Sequence, residues 1–338
     1  MNKMTSGASG LLTIVLIFTL LAGGMLLIHL ITPVSFDEEW REVYIPEGAN
    51  YTEGLKLLEE GGIVKGRTVL LILGKITGSD KQLKPGYYNL SASMSPLEIF
   101  HTLIEGRTIQ FTVTIPEGST LKQIKKKFME IGLMDEGSWG LVHDTDFIAG
   151  LGIDAPSLEG YLYPDTYKFQ KGSAPETAIR RMVKRLDDVF DGTLHDRAGE
   201  LGMTTNEVLT LASIIEKEAV FDIERPIISG VYHNRLKKKM RLQADPTVLY
   251  GLEQSEKRIR YRDLKRNTPY NTYVIRGLPP GPIASSGIKS IRAALYPDEV
   301  DYLFFVSKND GTHHFSRTNK EHARAVTLYQ LNGKGKKE

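Results

Sequence analysis

Residues 11 to 34 read LLTIVLIFTLLAGGMLLIHLITPV, with no Lys, Arg, Asp or Glu among them. Crossing the hydrocarbon of a bilayer takes ~20 such residues, and a helix there satisfies its own backbone, as lipid demands. The run is longer than the apolar core of a secretory signal, and no small-x-small cleavage pattern follows it, so a retained single-pass anchor is expected. Lys3 precedes it, whereas Asp37, Glu38, Glu39 and Glu42 follow. The positive-inside tendency then leaves residues 1–10 in the cytoplasm and places the rest, from about residue 35, outside the cell (inner) membrane, in a periplasmic or external zone.

That topology gives meaning to two counts. The chain has no cysteine, although an extracytoplasmic compartment permits disulfides, so the outer part must hold by its core. Its net charge is +2 over 338 residues. Such a balance offers no basic field for nucleic acid, and Lys237, Lys238 and Lys239 read as a solvated helix end. The length suggests two domains.

An internal repeat organises the first of them. Ile45-Pro46-Glu47-Gly48 recurs as Ile115-Pro116-Glu117-Gly118, and the register holds through Lys56/Lys126, Glu60/Glu130 and Gly62/Gly132. Each copy reads as strand, turn, helix and glycine stop: Leu121, Ile124, Phe128 and Ile131 have helical spacing, matched by Tyr51, Leu55 and Leu58. Between the copies, Gly86–Leu90 looks like a strand, and Ser95-Pro96-Leu97-Glu98 is a capping box with proline at the first helical position. Short strand-helix units of this kind resemble LysM-like modules, a class associated with N-acetylglucosamine polymers. A mere packing platform is the alternative.

The second region opens on the aromatic stretch Leu158–Tyr167, read as a strand with a turn at Pro164-Asp165. A helix is expected over 175–190. Thr204-Thr205-Asn206-Glu207 then caps another helix, and Pro226 opens a third carrying Ile227, Ile228, Val231, Tyr232 and Leu236. Residues 251 to 290, rich in Gly, Pro, Asn, Tyr and Ser, are expected to be cleft-lining loops. The capped middle helix carries Leu211-Ala-Ser-Ile-Ile-Glu216-Lys217-Glu218-Ala219. At about 100° per residue, Val208, Leu211, Ala212, Ile214, Ile215 and Ala219 share a broad apolar face, while Thr210, Ser213 and Lys217 take the other. Glu218 falls between Leu211 and Ile214, and Glu216 lies nearer the edge. A carboxyl held among apolar groups loses solvation when charged, keeps its proton near neutral pH and becomes a proton donor. A structural salt bridge to a following arginine is the plainer reading of the same residues.

Further motifs follow: Arg235 in Asn-Arg-Leu, Met240-Arg-Leu-Gln243-Ala-Asp245-Pro-Thr247-Val-Leu-Tyr250-Gly251, Pro269-Tyr270-Asn271-Thr272-Tyr273, and Gly277-Leu-Pro-Pro-Gly-Pro-Ile283. In order and spacing these, with Glu216-Lys217-Glu218, resemble the endolytic murein transglycosylases of the MltG (YceG-like) family. The resemblance extends from the apolar run to Phe304-Phe305-Val306 and the Gly311–Ser316 hairpin. It implies a membrane-anchored lyase that cuts nascent peptidoglycan strands between N-acetylmuramic acid and N-acetylglucosamine, leaves 1,6-anhydro ends and terminates glycan growth beside the peptidoglycan synthases. It also implies Glu218 as the catalytic residue, with Glu216 as possible supporting acid.

One acid is enough for such a reaction, because the sugar's own C6 hydroxyl replaces water as the nucleophile; ordinary glycosidases use two carboxyls. Gln243, Asn271 and the hydroxyls of Ser285 and Ser286 are candidate contacts to the developing charge, and Thr247 belongs to the same substrate-contact motif. Tyr250, Tyr270 and Tyr273 are candidates to stack on sugar faces. Asp245 reads as a turn or substrate-positioning residue, and as a second catalytic carboxylate it would restore a muramidase-type hydrolysis. A non-catalytic glycan-binding scaffold is the third reading. His313 and His314 alternate across a strand without a third ligand, so a surface hairpin rather than a metal site is expected, and no cofactor is expected.

The expected architecture is α+β: residues 1–10 cytoplasmic, a transmembrane helix at 11–34, a linker at 35–43, a LysM-like region at 44–157, a mixed α+β catalytic domain at 158–332 with its glutamate in a cleft, and a basic tail at 333–338.

Overall fold

The computed structural model describes residues 4–252 and 259–331, with side chains from residue 10. Lys3 and the basic tail at 333–338 lie outside the described residues. Packing divides the chain into two compact units, Met1–Phe111 with Lys168–Ser173, and Thr112–Tyr167 with Ala174–Glu338.

In the first unit, α1 (Met4–Ile31) is one unbroken helix. Its portion Gly10–Ile31 is long and apolar enough to cross a membrane, and large side chains from Leu11 to Ile28 stand exposed along it. Then come β1 (Trp40–Ile45), α2 (Tyr51–Glu60), α3 (Thr68–Thr77), β2 (Gly86–Ser91) and α4 (Pro96–Glu105). β1 and β2 pair antiparallel from Trp40↔Ser91 to Ile45↔Gly86, so the strand begins inside the segment expected as a linker: the Arg41 and Glu42 backbones find partners in Leu90 and Asn89. Asn50 and Ser95 close capping boxes with Glu53 and Glu98. The core gathers Ile45, Leu55, Leu58, Leu70, Tyr88, Leu90, Ile99 and Leu103. Leu70 belongs to α3, an apolar helix the periodicity had not separated.

The chain continues with β3 (Gln110–Thr114), α5 (Leu121–Glu130), α6 (Glu136–Trp139), α7 (Thr145–Ala149), β4 (Thr166–Gln170), α8 (Pro175–Val189) and α9 (Gly192–Glu200). After them follow α10 (Thr205–Glu218), α11 (Arg225–Lys237), α12 (Asp245–Gly251), α13 (Ile288–Leu295), the hairpin β5 (Phe304–Ser307) and β6 (His313–Ser316), and α14 (Asn319–Val326). β3 pairs with β4, and β5 with β6. The second unit is built on helices, with α10 in contact with α9, α11, α12 and α13.

Four features depart from the sequence pattern. α10 is buried all round from Val208 to Ile215 rather than on one face: Thr210 and Ser213 are 1% and 0% exposed. Their hydroxyls make this tolerable, Thr210 donating to Asn206 O (2.6 Å) and Ser213 to Thr210 O (2.7 Å) while accepting from Ile283 N (3.0 Å), which satisfies the rule that buried polar groups are bonded. Leu158–Tyr163 is a buried turn and the strand comes after Pro164; a Cβ at Gly160, whose φ is +80°, would strike Pro282, so the chain bends where it meets that loop. α9 and α13 were not anticipated. Finally, the repeat is real as local structure, since α2 at 51–60 and α5 at 121–130 keep its offset, yet its copies fall in different units. Gly118 N donates to Ser285 O (2.7 Å), and Ser285 N to Ser119 O (2.8 Å), which joins the second copy to the chain that follows it. In this stretch the first compact unit ends at Phe111 and the second begins at Thr112.

Candidate active site

α10 starts at a capping box, Thr204 with Glu207, and runs about 20 Å at 1.5 Å per residue to end on Glu218. Ala219 is already extended, with ψ 124°. The helix is thus anchored along its length and sets its last side chain at the edge of the core, where it lines a cleft.

Three neighbours meet Glu218 there. Tyr232, fully buried on α11, points its hydroxyl at Glu218 Oε1 (3.3 Å). Arg235, one turn further along α11 and 6% exposed, spends Nε on Leu303 O and Nη1 on Leu242 O, both at 2.6 Å. Its charge thereby ties two loops to α11 and stays close to the acid without forming an ion pair with it. Asp245 begins α12, rather than sitting in a simple turn, and accepts a 2.6 Å hydrogen bond from the Tyr273 hydroxyl. Burial pushes the Glu218 carboxyl up to about 8, the Asp245 charge adds to the rise, and Tyr232 and Arg235 oppose it. Desolvation beating a nearby cation is the environment that keeps a carboxylic acid protonated at neutral pH.

The cleft in front of Glu218 has a volume near 510 Å³ and is lined by Arg235, Gln243, Asp245, Tyr273, the β5–β6 hairpin and α14. Gln243 adopts φ +49°, a left-handed conformation unusual for a side-chain-bearing residue, held by its N–H on Thr272 O (3.1 Å). Strain of this kind concentrates at functional sites. His313 faces the cleft from the hairpin. It is not a surface residue: its side chain is 8% exposed and Nδ1 lies 2.7 Å from Glu224 Oε2, which locks the hairpin to the α10–α11 connection.

The other residues singled out from sequence are placed elsewhere. Glu216 is 6% exposed in its side chain and pairs with Arg225 Nη1 (3.2 Å), while also accepting from Gly287 N (3.1 Å); it braces α10 against α11 and α13 rather than entering the cleft. Thr247 is fully buried and bonded to Ala244 O and Thr272 Oγ1. Asn271 is 1% exposed, its amide donating to the carbonyls of Leu264 and Arg266, so it shapes a loop. Ser285 and Ser286 are buried with hydroxyls that have no hydrogen-bond partner among the described residues. Tyr250 and Tyr270 line a different cleft. Sequence reasoning treated Tyr232 as packing only and gave no role to Arg235, Phe304, Phe305 or His322, which stacks on Phe304 at a 5.3 Å ring separation. Arg235 at least stood inside a quoted motif; His322 had no local signal.

The sequence model of the YceG-like family matches residues 43–328. The endolytic murein transglycosylase of Bacillus subtilis (strain 168) is 34% identical over 335 residues, covering 92% of this chain and 91% of that protein. The protein of the same name from Streptococcus pneumoniae (strain ATCC BAA-255 / R6) is 31% identical over 320 residues, 84% of this chain but 57% of its own longer length. A crystal structure of a YceG-like protein from Listeria monocytogenes superposes with a TM-score of 0.59 at 36% identity, covering 86% of this chain and all of that one. With the family's pattern running through both compact units and relatives matched over most of its length, this chain belongs to the YceG-like family.

Proposed function

We propose that the chain is a membrane-anchored endolytic murein transglycosylase, a carbon-oxygen lyase that cleaves the bond between N-acetylmuramic acid and N-acetylglucosamine in nascent glycan strands and leaves 1,6-anhydro ends. The observation that carries the reading is a carboxyl at the end of α10 that lines a cleft, accepts from the Tyr232 hydroxyl and has its pKa raised by desolvation, in a chain whose relatives bear that enzyme name. Glu218 donates its proton to the departing O4 while positive charge grows at C1. The resulting carboxylate, with Tyr232 bonded to it, then takes the proton of the C6 hydroxyl as that oxygen closes on C1. Acid becomes base in one residue, and the proton balance is restored without water. Asp245, held by Tyr273, lies close enough to favour the developing cation, and Gln243 and Tyr273 contact the strand. The span Gly10–Ile31 anchors the enzyme, N-terminus inside, so that its cleft works outside the membrane as a terminase beside the synthases. The β1–α2–α3–β2 order of the first unit supports a LysM-like, glycan-binding role.

End-group analysis tests this. Purified glycan strands digested by the parent chain should yield anhydro-ended fragments, and Glu218→Gln should yield none. Reducing ends alone would instead favour a muramidase, with Asp245 as its second carboxylate.

A further inference from the structure

Besides the cleft before Glu218, the second unit contains another of about 500 Å³, floored by Glu159 and walled by Tyr250, Tyr270, Leu121 and His143. Glu159 is 4% exposed and lies in no step of the reaction above. Its carboxylate accepts from Leu121 N (3.0 Å), the first residue of α5, and from the Tyr250 hydroxyl (3.2 Å). The Tyr250 and Tyr270 rings meet edge to face at 4.7 Å. Gly251 makes their approach possible, because a Cβ there would press on Thr268 and Tyr270.

A partition separates the two clefts, and it consists of two segments. α12 sends Asp245 to the Glu218 side and Tyr250 to the other; the Tyr270–Tyr273 segment sends Tyr273 to the first and Tyr270 to the second. Thr247 and Thr272 pin the segments together at 2.8 Å between hydroxyls, and Ala244 N donates to Thr272 Oγ1 (2.9 Å). Five helical steps lead from Asp245 to Tyr250, a rise of about 7.5 Å and a turn of about 140° around the helix. The two side chains thus leave opposite sides of one short helix, so the clefts share a wall a single helix thick.

We infer that the Tyr250–Tyr270 cleft is a second carbohydrate site, which holds one N-acetylated amino-sugar of a strand whose scissile bond lies in the Glu218 cleft, the strand bending around the partition. Rings offer apolar faces to a pyranose, and the buried floor supplies convergent oxygen groups, the combination that marks a ligand pocket rather than plain packing. Burial also raises the Glu159 carboxyl to about 7, so at neutral pH a share of the molecules carry a proton there for a sugar carbonyl or hydroxyl to accept.

The inference rests on peptidoglycan being the substrate, and the test separates the two claims. Full-length parent, Tyr270→Ala and Tyr270→Phe are assayed on peptide-free glycan strands of graded length. Removing one stacking ring should raise KM about tenfold on long strands while kcat holds, with the penalty shrinking as strands become too short to reach past the partition, and the phenylalanine variant should recover most of the loss. An effect of the same size at every length, or a fall in kcat instead, would mean that Tyr270 only supports the partition, and the second site would be withdrawn. As a check independent of cleavage, the Glu218→Gln chain is titrated with the N-acetylglucosamine tetramer: binding lost on adding Tyr270→Ala supports the site even if no strand is ever cut, whereas binding indifferent to it refutes the site even if the parent is active.

Discussion

Replacing Glu218 by Gln should stabilise the protein in alkali while abolishing its chemistry, and the two effects have one cause. The carboxyl sits at about 8, against 4.5 when unperturbed. At pH 7 the folded protein keeps roughly nine in ten of these groups protonated, whereas in water roughly one in three hundred would be. A raised carboxyl works through linkage in a definite direction: the folded state binds the proton more tightly than the unfolded one, so its advantage is whole below about pH 4.5, erodes as pH rises, and is gone once pH passes about 8. The full span corresponds to about 5 kcal/mol, an upper bound because water and side chains relax around the charge. Glutamine has nearly the same shape and nothing to ionise. The difference in melting temperature between Glu218→Gln and parent should therefore be small at pH 4.5 and grow in favour of the variant towards pH 9. Even a quarter of the bound amounts to about 2 °C. Scanning calorimetry of both chains across this range measures it, and Glu159, which also titrates near neutrality, cancels because both proteins carry it. A pH-independent difference would show that Glu218 is not held proton-loaded, and the acid-base scheme would lose its donor.

Asp245→Asn removes the like charge that helps hold the Glu218 proton, so the alkaline limb of the kcat/KM profile should move towards lower pH; a limb that stays put would exclude electrostatic coupling between the two. Glu216→Gln breaks a buried pair with Arg225 and should cost about 3 kcal/mol in urea unfolding, with the remaining activity keeping the pH profile of the parent. Gly287→Ala meets only the far end of the exposed Glu117 side chain, which can swing clear, so it should change the free energy of urea unfolding by less than about 1 kcal/mol; a larger loss would show that Glu117 is held in place.

Local chemistry in the chain was enough to announce many elements. The charge-free run required a long apolar helix, capping boxes at Ser95 and Thr204 marked helix starts that the structure keeps, and the offset between the Ile-Pro-Glu-Gly copies returned as α2 and α5. Glu218 was legible because an acid between apolar neighbours on a helix is a local anomaly. Its rival Glu216 was set below it by the family resemblance, with which the helical angle agreed; in the structure one carboxylate is spent on Arg225 and the other meets the cleft.

What the sequence could not contain is which distant segments face each other. Tyr232, Arg235 and His322 reach the cleft from α11 and α14, and no spacing in the chain relates them to Glu218. Thr247 and Asn271 share motifs with cleft residues yet face inward, because neighbouring side chains on α12 and in the Tyr270–Tyr273 segment alternate between two clefts and the wall between them. Burial of Thr210 and Ser213 likewise depended on α13 and the Ile283 loop closing the far side of α10. Periodicity reports which side chains share a face; only the packed neighbours decide whether that face meets water, core or substrate, since desolvation is a property of everything around a group and not of the residues beside it in the chain.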